Sequence, residues 1–362
     1  MKKAAKFVLL LLLLPLLLPI SESGKAPAMF IFGDSLVDNG NNNFLLTLAR
    51  ANYVPYGIDY GYPTGRFCNG FTVTDYGAQL LGLPLPIPYL SLETLLTDDI
   101  LQGVNYASAA AGILEETGKQ YGARISFNGQ LAFFEKTVTT QLPLLIPDPK
   151  NLSDYLSNSV FIVVFGSNDY INNYLLPDLY ESSTEYTADA FADLLICNLE
   201  NQLTSMYNLG AKKVVLVGVG PLGCIPSQLY QGNSIDGSCI DDVNQAVTLF
   251  NERLETLTTK LNSTLPGSFF IYEDIYDNFI QMVQNPADYG FISSNEACCG
   301  NGRYGGKITC LPLQEPCLER DEFIFWDSFH PTQAVNNLIA RRCYTPTATD
   351  CRPISAFQLA QI

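Results

Sequence analysis

The chain contains one histidine, His330, three residues after Asp327 in the run Phe325-Trp326-Asp327-Ser328-Phe329-His330-Pro331. An imidazole is the side chain suited to taking and returning a proton near neutral pH, so any such chemistry here belongs to His330. Asp327 at i−3 can accept a hydrogen bond from the ring in a tight turn. That is the base and its orienting carboxylate, the arrangement that activates a hydroxyl nucleophile. Ser35, in Gly33-Asp34-Ser35-Leu36 at the other end of the chain, is the candidate hydroxyl. Taken singly, His330 could be a capping histidine ahead of a helix begun by Pro331, and Ser35 an N-cap serine.

These residues need a scaffold that brings distant segments together. Apolar runs at 28–32, 103–107, 160–165, 213–219 and 269–272 read as strands covered on both faces. Residues 187–209 and 241–261 carry apolar side chains at helical spacing, with Asp241 a candidate cap for the second. Strand–helix alternation predicts an α/β fold, a single α/β/α domain with a mainly parallel sheet. In such sheets ligands bind beyond the carboxyl ends of the strands. Ser35, the small-residue run Ala107–Gly112, and Gly166-Ser167-Asn168-Asp169 each follow a strand, and Asp327 and His330 follow the apolar run 323–326. Four loops then converge on one edge. Ser35 would sit beside a helix N-terminus, Asn168 can donate to an oxyanion, and the 107–112 run lets backbone N–H groups approach a ligand. Each also has a structural reading, as a turn asparagine or as close helix–sheet packing.

Composition sets the compartment. Lys2, Lys3 and Lys6 precede an apolar run that ends at Ile20, followed by small residues, which reads as a secretory signal peptide over 1–23 with one domain over 24–362. No later stretch reaches transmembrane length, so no integral membrane association is expected. Ten cysteines beyond the signal suggest disulfides in a secreted, extracellular chain. Asn151 and Asn262 open glycosylation sequons. A net charge of −16 with scattered Lys and Arg provides no footprint for nucleic acid.

Competing motifs fail on inspection. No G-x-S-x-G elbow occurs, and one histidine cannot supply a two-histidine zinc site. Gly300, Gly302 and Gly305 match a dinucleotide fingerprint in letters only, because they follow Cys298-Cys299 rather than a strand.

In this order, four blocks resemble the plant-type GDSL esterase/lipase family of the SGNH hydrolase superfamily. They are Phe32-Gly33-Asp34-Ser35-Leu36-Val37-Asp38-Asn39-Gly40-Asn41-Asn42, Gly103-Val104-Asn105-Tyr106-Ala107-Ser108, Gly166-Ser167-Asn168-Asp169-Tyr170 and Trp326-Asp327-Ser328-Phe329-His330-Pro331-Thr332. Pro55-Tyr56-Gly57, Thr64-Gly65-Arg66-Phe67 and Gly220-Pro221-Leu222-Gly223-Cys224 add weaker matches. The resemblance spans about residues 28–342. It implies a flavodoxin-like central sheet, Ser35 as nucleophile, His330 as general base and Asp327 as its orienter. The oxyanion would be held by the Ser35 N–H, the Asn168 side chain and a backbone N–H in the second block. Many relatives have glycine where this chain has Ala109 or Ala110; Ala110 is the first choice for that donor. The implied activity is hydrolysis of carboxylic esters, of acyl lipids or related esters, through an acyl-serine. It needs neither cofactor nor metal, and the chain is expected to act as a monomer. Acyl transfer, polysaccharide deacetylation on the same triad, or a secreted binding protein keeping the fold are the alternatives.

Overall fold

A computed structural model describes residues 25–91 and 98–362; the proposed signal peptide lies outside the described residues. The sheet has β1 (Met29–Gly33), β2 (Ile87–Pro88), β3 (Val104–Asn105), β4 (Val160–Val164), β5 (Lys213–Val217) and β6 (Phe269–Glu273), all parallel. A parallel pair, β7 (Ser293–Ala297) with β8 (Phe323–Phe325), stands apart from it. A final antiparallel strand, β9 (Cys351–Arg352), closes one edge to give the order β9-β6-β5-β4-β1-β3-β2. The core order β3-β1-β4-β5-β6 is the flavodoxin-like winding, whose switch point lies where successive strands leave β1 in opposite directions. The apolar runs of β1, β4 and β5 are buried throughout, as strands covered on both faces must be.

Alternating side chains sort the two faces. Phe30, Phe32 and Phe161 meet Phe134 of α2 (Phe127–Lys136), which belongs to the layer that includes α3 (Ala188–Asn208) and α4 (Asp241–Thr264). The opposite face is covered by α1 (Val73–Leu81) packed on α6 (Gln333–Cys343), with α5 (Ile275–Gln284) beside the β7–β8 pair. Local chemistry sets the ends. Thr72 and Asp75 form a capping box on α1, Thr187 caps α3 and Thr332 caps α6. Asp241 does not cap α4 as expected; it is the first helical residue, and Ile240 holds the cap position without a side-chain bond. An acidic group in the first turn still favours the helix dipole.

The even cysteine count does not pair completely. Cys224–Cys239, Cys298–Cys317, Cys299–Cys310 and Cys343–Cys351 are bonded, whereas Cys68 is a buried thiol and Cys197 an exposed one. Two bridges brace the segment before His330. The Cys298 N–H donates to Phe325 O and the Cys299 N–H to Trp326 O, so the cross-linked loop grips the backbone leading into Asp327. The Gly300–Gly305 segment lies in that loop; contrary to the sequence reading it does follow a strand, β7, but a 3₁₀ turn over Arg303–Gly305 rather than an α-helix comes after it. Asn151 is exposed at the start of a short helix, but the Asn262 amide donates to Phe270 O and accepts from Phe270 N, so a glycan on Asn262 would compete with that pairing.

Replacing Cys299 and Cys310 together by serine should cost about 2–4 kcal/mol in urea unfolding. Because the bridge grips the Asp327 approach, ester turnover should fall at temperatures where the variant is still folded. Unchanged turnover with lowered stability would mean that the loop does not hold the site.

Candidate active site

Ser35 lies two residues past the end of β1. No α-helix follows; the chain makes one turn, in which the Val37 and Asp38 N–H groups donate to Asp34 O, and then a short 3₁₀ segment over Asn41–Phe44. The helix N-terminus expected beside Ser35 is therefore absent, and any developing negative charge must be met by individual donors.

His330 reaches Ser35 from the other end of the chain. Its Nε2 is 2.8 Å from Ser35 Oγ, and its Nδ1 is 2.8 Å and 2.9 Å from the two Asp327 oxygens. A carboxylate on Nδ1 requires a proton there, so Nε2 is the lone pair facing the serine hydroxyl; the tautomer follows from the network. Asp327 is fully buried. Its Oδ1 accepts the N–H groups of Phe329 and His330, and its Oδ2 accepts the Tyr56 hydroxyl at 2.5 Å. Burial alone would raise Asp327, but His330, Tyr56 and the Phe329 N–H together hold it below the ordinary carboxylate range. It is a buried anion whose contacts fix the orientation of the imidazole ring.

The second block is sewn to the first. Ser108 N–H donates to Gly33 O, extending the β3–β1 pairing beyond β3. Asp38 accepts from the N–H groups of Gly40, Asn41 and Ala109, the amide of Asn41 donates to Asn105 O and Ala107 O, and that of Asn42 donates to Ala49 O and Ala109 O. These bonds hold Ala110 in the left-handed region at φ 66°, uncommon for a residue with a Cβ. A Cβ at Gly118 would fall 2.0 Å from Ala110 O, so glycine is required where that loop returns. Ala110 lies with Ser35, Asn168 and His330 around one cavity. Neither the Ser35 nor the Ala110 N–H has a hydrogen-bond partner among the described residues.

Asn168, in the short helical turn that follows β4, is brought to the same place but is engaged. Its Nδ2 donates to Asp34 Oδ2 at 3.2 Å and Ala111 O at 3.0 Å, while Asn172 donates to its Oδ1 and fixes the amide orientation. Asp34 is itself buried, and burial pushes its carboxyl up to about 7 against the opposing effects of the Leu36 N–H and His330. Sequence reasoning gave no role to Asp34, Asp38, Asn41, Asn42 or Tyr56. The first four sit in the Ser35 block, and Tyr56 in a weaker matching block, so the signal was present without a partner to interpret it.

Two cavities meet at Ser35 and His330. One, lined by Tyr53, Tyr121, Asn172, Arg50 and Thr309, is of mixed polarity; the other runs along the sheet edge and is mostly apolar.

Comparison with known proteins assigns the family. The GDSL-like lipase/acylhydrolase pattern matches residues 29–343. The chain belongs to the GDSL lipase family. GDSL esterase/lipase 7 of Arabidopsis thaliana is 57% identical over 339 residues, 93% of each chain. GDSL esterase/lipase At1g71250 of the same plant is 49% identical over 341 residues, 94% of this chain and 90% of that one. A third Arabidopsis thaliana GDSL esterase/lipase is 46% identical over the whole of both chains. The family resemblance read from four short blocks thus extends over the described fold, and the strand order bears out the flavodoxin-like winding.

Tyr56→Phe should leave buried Asp327 Oδ2 with only the His330 Nδ1–H that it shares with Oδ1. A hydrogen bond to a charged group is worth about 1.5–3 kcal/mol, so kcat should fall by roughly tenfold or more and the thermal midpoint should drop by a few degrees, with the variant still folded at the assay temperature. Wild-type kcat in a folded variant would remove Tyr56 from the site. Stability should depend on pH through Asp34 and through Glu273, whose carboxyl burial pushes up to about 8. Both keep protons in the folded protein after the unfolded chain has lost them, so their contribution is full below about pH 4 and is lost as pH rises toward about 8. Asp327 has the opposite sign and acts only at acid pH. The urea midpoint should therefore be lower at about pH 8.5 than at about pH 5.5, and Glu273→Gln should flatten the upper part of that slope. A midpoint that rises with pH over this range would contradict these assignments.

Proposed function

We propose that this protein is a serine esterase/lipase that hydrolyses carboxylic esters through an acyl-serine intermediate, with Ser35 as nucleophile, His330 as general base and Asp327 as its orienting carboxylate. The observation that carries this reading is the continuous chain from Asp327 through both His330 nitrogens to Ser35 Oγ. The names of the relatives support the ester as substrate.

The reaction follows from the geometry. Ser35 Oγ attacks the ester carbonyl carbon while its proton passes to His330 Nε2, and the carbonyl oxygen becomes an oxyanion. The free N–H groups of Ser35 and Ala110 donate to it. Asn168 donates as well once its longer bond, to Asp34, is exchanged for the oxyanion. His330 then returns the proton to the departing alcohol, leaving the acyl group on Ser35. Water, deprotonated by the same imidazole, attacks the acyl carbon and releases the acid with Ser35 restored. The buried Asp327 charge stabilises imidazolium in both halves. Another alcohol taking the place of water would give acyl transfer.

Secretion is part of the proposal. It is supported by the basic and apolar segment at the N-terminus, by the four disulfides, and by the fact that no described helix is long and apolar enough to cross a membrane. The substrate is a small-molecule or lipid ester, and the protein acts as a monomer.

An organophosphonate should label Ser35 alone, and Ser35→Ala should abolish both labelling and p-nitrophenyl butyrate hydrolysis. Asp327→Asn should lower kcat by up to ~10⁴-fold with the fold retained. An adduct mapped to another serine, or full turnover in Asp327→Asn, would overturn the assignment.

A further inference from the structure

The apolar cavity at the active serine has a defined sheet wall. Gly33 of β1 is in register with Val164 of β4, Val164 with Val217 of β5, and Val217 with Glu273 of β6. The row lies at the carboxyl edge of the sheet, and Val164, Val217 and Glu273 all line the cavity that opens at Ser35 and His330. The cavity is narrow, with a volume of about 80 Å³. Phe279, Phe325 and Ile339 complete its apolar wall. Three strand spacings separate β1 from β6, about 14 Å, so the row is a track for an extended chain running from the serine across the sheet.

Glu273 is the anomaly. It is 1% exposed, yet its Oε1 has no hydrogen-bond partner among the described residues. The Tyr344 hydroxyl bonds the carboxyl, and the sulfurs of the Cys343–Cys351 bridge lie within 4.8 Å of it. Burial, helped by the charge of Asp350, pushes Glu273 up to about 8, so at neutral pH it is an uncharged carboxyl with an O–H to donate. A buried group left unpaired costs stability and calls for a partner that is not part of the chain. A hydrocarbon-only pocket would be served better by leucine or methionine at this position.

Resting on the ester-hydrolase reading above, we propose that this cavity receives the acyl chain of the ester, and that Glu273 selects acyl chains bearing a hydroxyl or other oxygen function at their far end. The carbonyl stays at Ser35, the methylenes lie along Val164 and Val217, and the terminal oxygen meets Glu273. Glu273 is thus a specificity-determining residue remote from the reacting bond.

The test uses p-nitrophenyl esters of saturated acids from octanoate to hexadecanoate, each paired with its ω-hydroxy counterpart. At the length that spans the track, the wild-type protein should favour the hydroxy ester by about tenfold in kcat/KM, the worth of one hydrogen bond. Glu273→Met should bring that ratio to about one, and Glu273→Gln, which keeps a donor, should retain a preference. The ratio compares two esters on one preparation, so partial unfolding of a variant cancels, and the wild-type measurement needs no variant. A ratio near one at every length in the wild-type protein, or a preference that survives Glu273→Met, overturns the proposal. Butyrate hydrolysis by the wild type separates the two readings: its absence refutes the esterase, whereas its presence without any hydroxy preference refutes only the role of Glu273.

Discussion

A fully buried carboxylate is tolerated only when its oxygens are satisfied, and Asp327 is satisfied by donors from two distant parts of the chain. The Phe329 and His330 N–H groups and His330 Nδ1 come from its own turn; the Tyr56 hydroxyl comes from 271 residues away. Losing any of these donors would leave charge unpaired in a low-dielectric interior, where the cost is large. The same contacts that stabilise the anion therefore fix the imidazole ring, and the ring fixes the Ser35 hydroxyl. Stability and catalytic geometry are one requirement at this point, and the disulfide-linked loop behind Trp326 holds the turn in which it is met.

The donor side of the site is built differently. Ala110 stands in a backbone region that an alanine seldom occupies, and it is held there by its neighbours' bonds: the Ala109 N–H donates to Asp38, and the Asn41 and Asn42 amides donate to Ala107 O and Ala109 O. The product of this stitching is an N–H beside Ser35 with nothing yet bound. Asn168 is the counterexample, with both amide protons engaged at rest. In the proposed mechanism the site combines two unpaired backbone donors with one that must exchange partners, so binding an oxyanion would require a local rearrangement near Asp34.

Sheet order explains why these pieces meet. The chain leaves β1 toward β3 on one side and β4 on the other, which opens the carboxyl edge exactly where Ser35, Ala110 and Asn168 emerge. The same parallel register that makes this crevice continues outward as Val164, Val217 and Glu273. The candidate site and the apolar cavity beside it thus share one structural basis, the in-register ending of four neighbouring strands.

The sequence alone determined the chemistry and the class of fold. A single histidine with an aspartate three residues before it admits one imidazole base, and a serine just past an apolar strand supplies its hydroxyl. Fully apolar five-residue runs alternating with helical periods admit few arrangements besides a covered parallel sheet. What only the tertiary structure decided involves partners far apart in sequence. Tyr56 reads as an ordinary aromatic until Asp327 stands against it, and Glu273 as an ordinary strand glutamate until the sheet register turns it into the cavity. In place of the expected helix after Ser35 the chain makes one turn and a 3₁₀ segment whose Asp38, Asn41 and Asn42 side chains bond the second block, and sequence spacing does not reveal those long-range partners. Cys68 and Cys197 stay unpaired for the same reason: an even count says how many thiols exist, but only distance in the folded chain says which of them can meet.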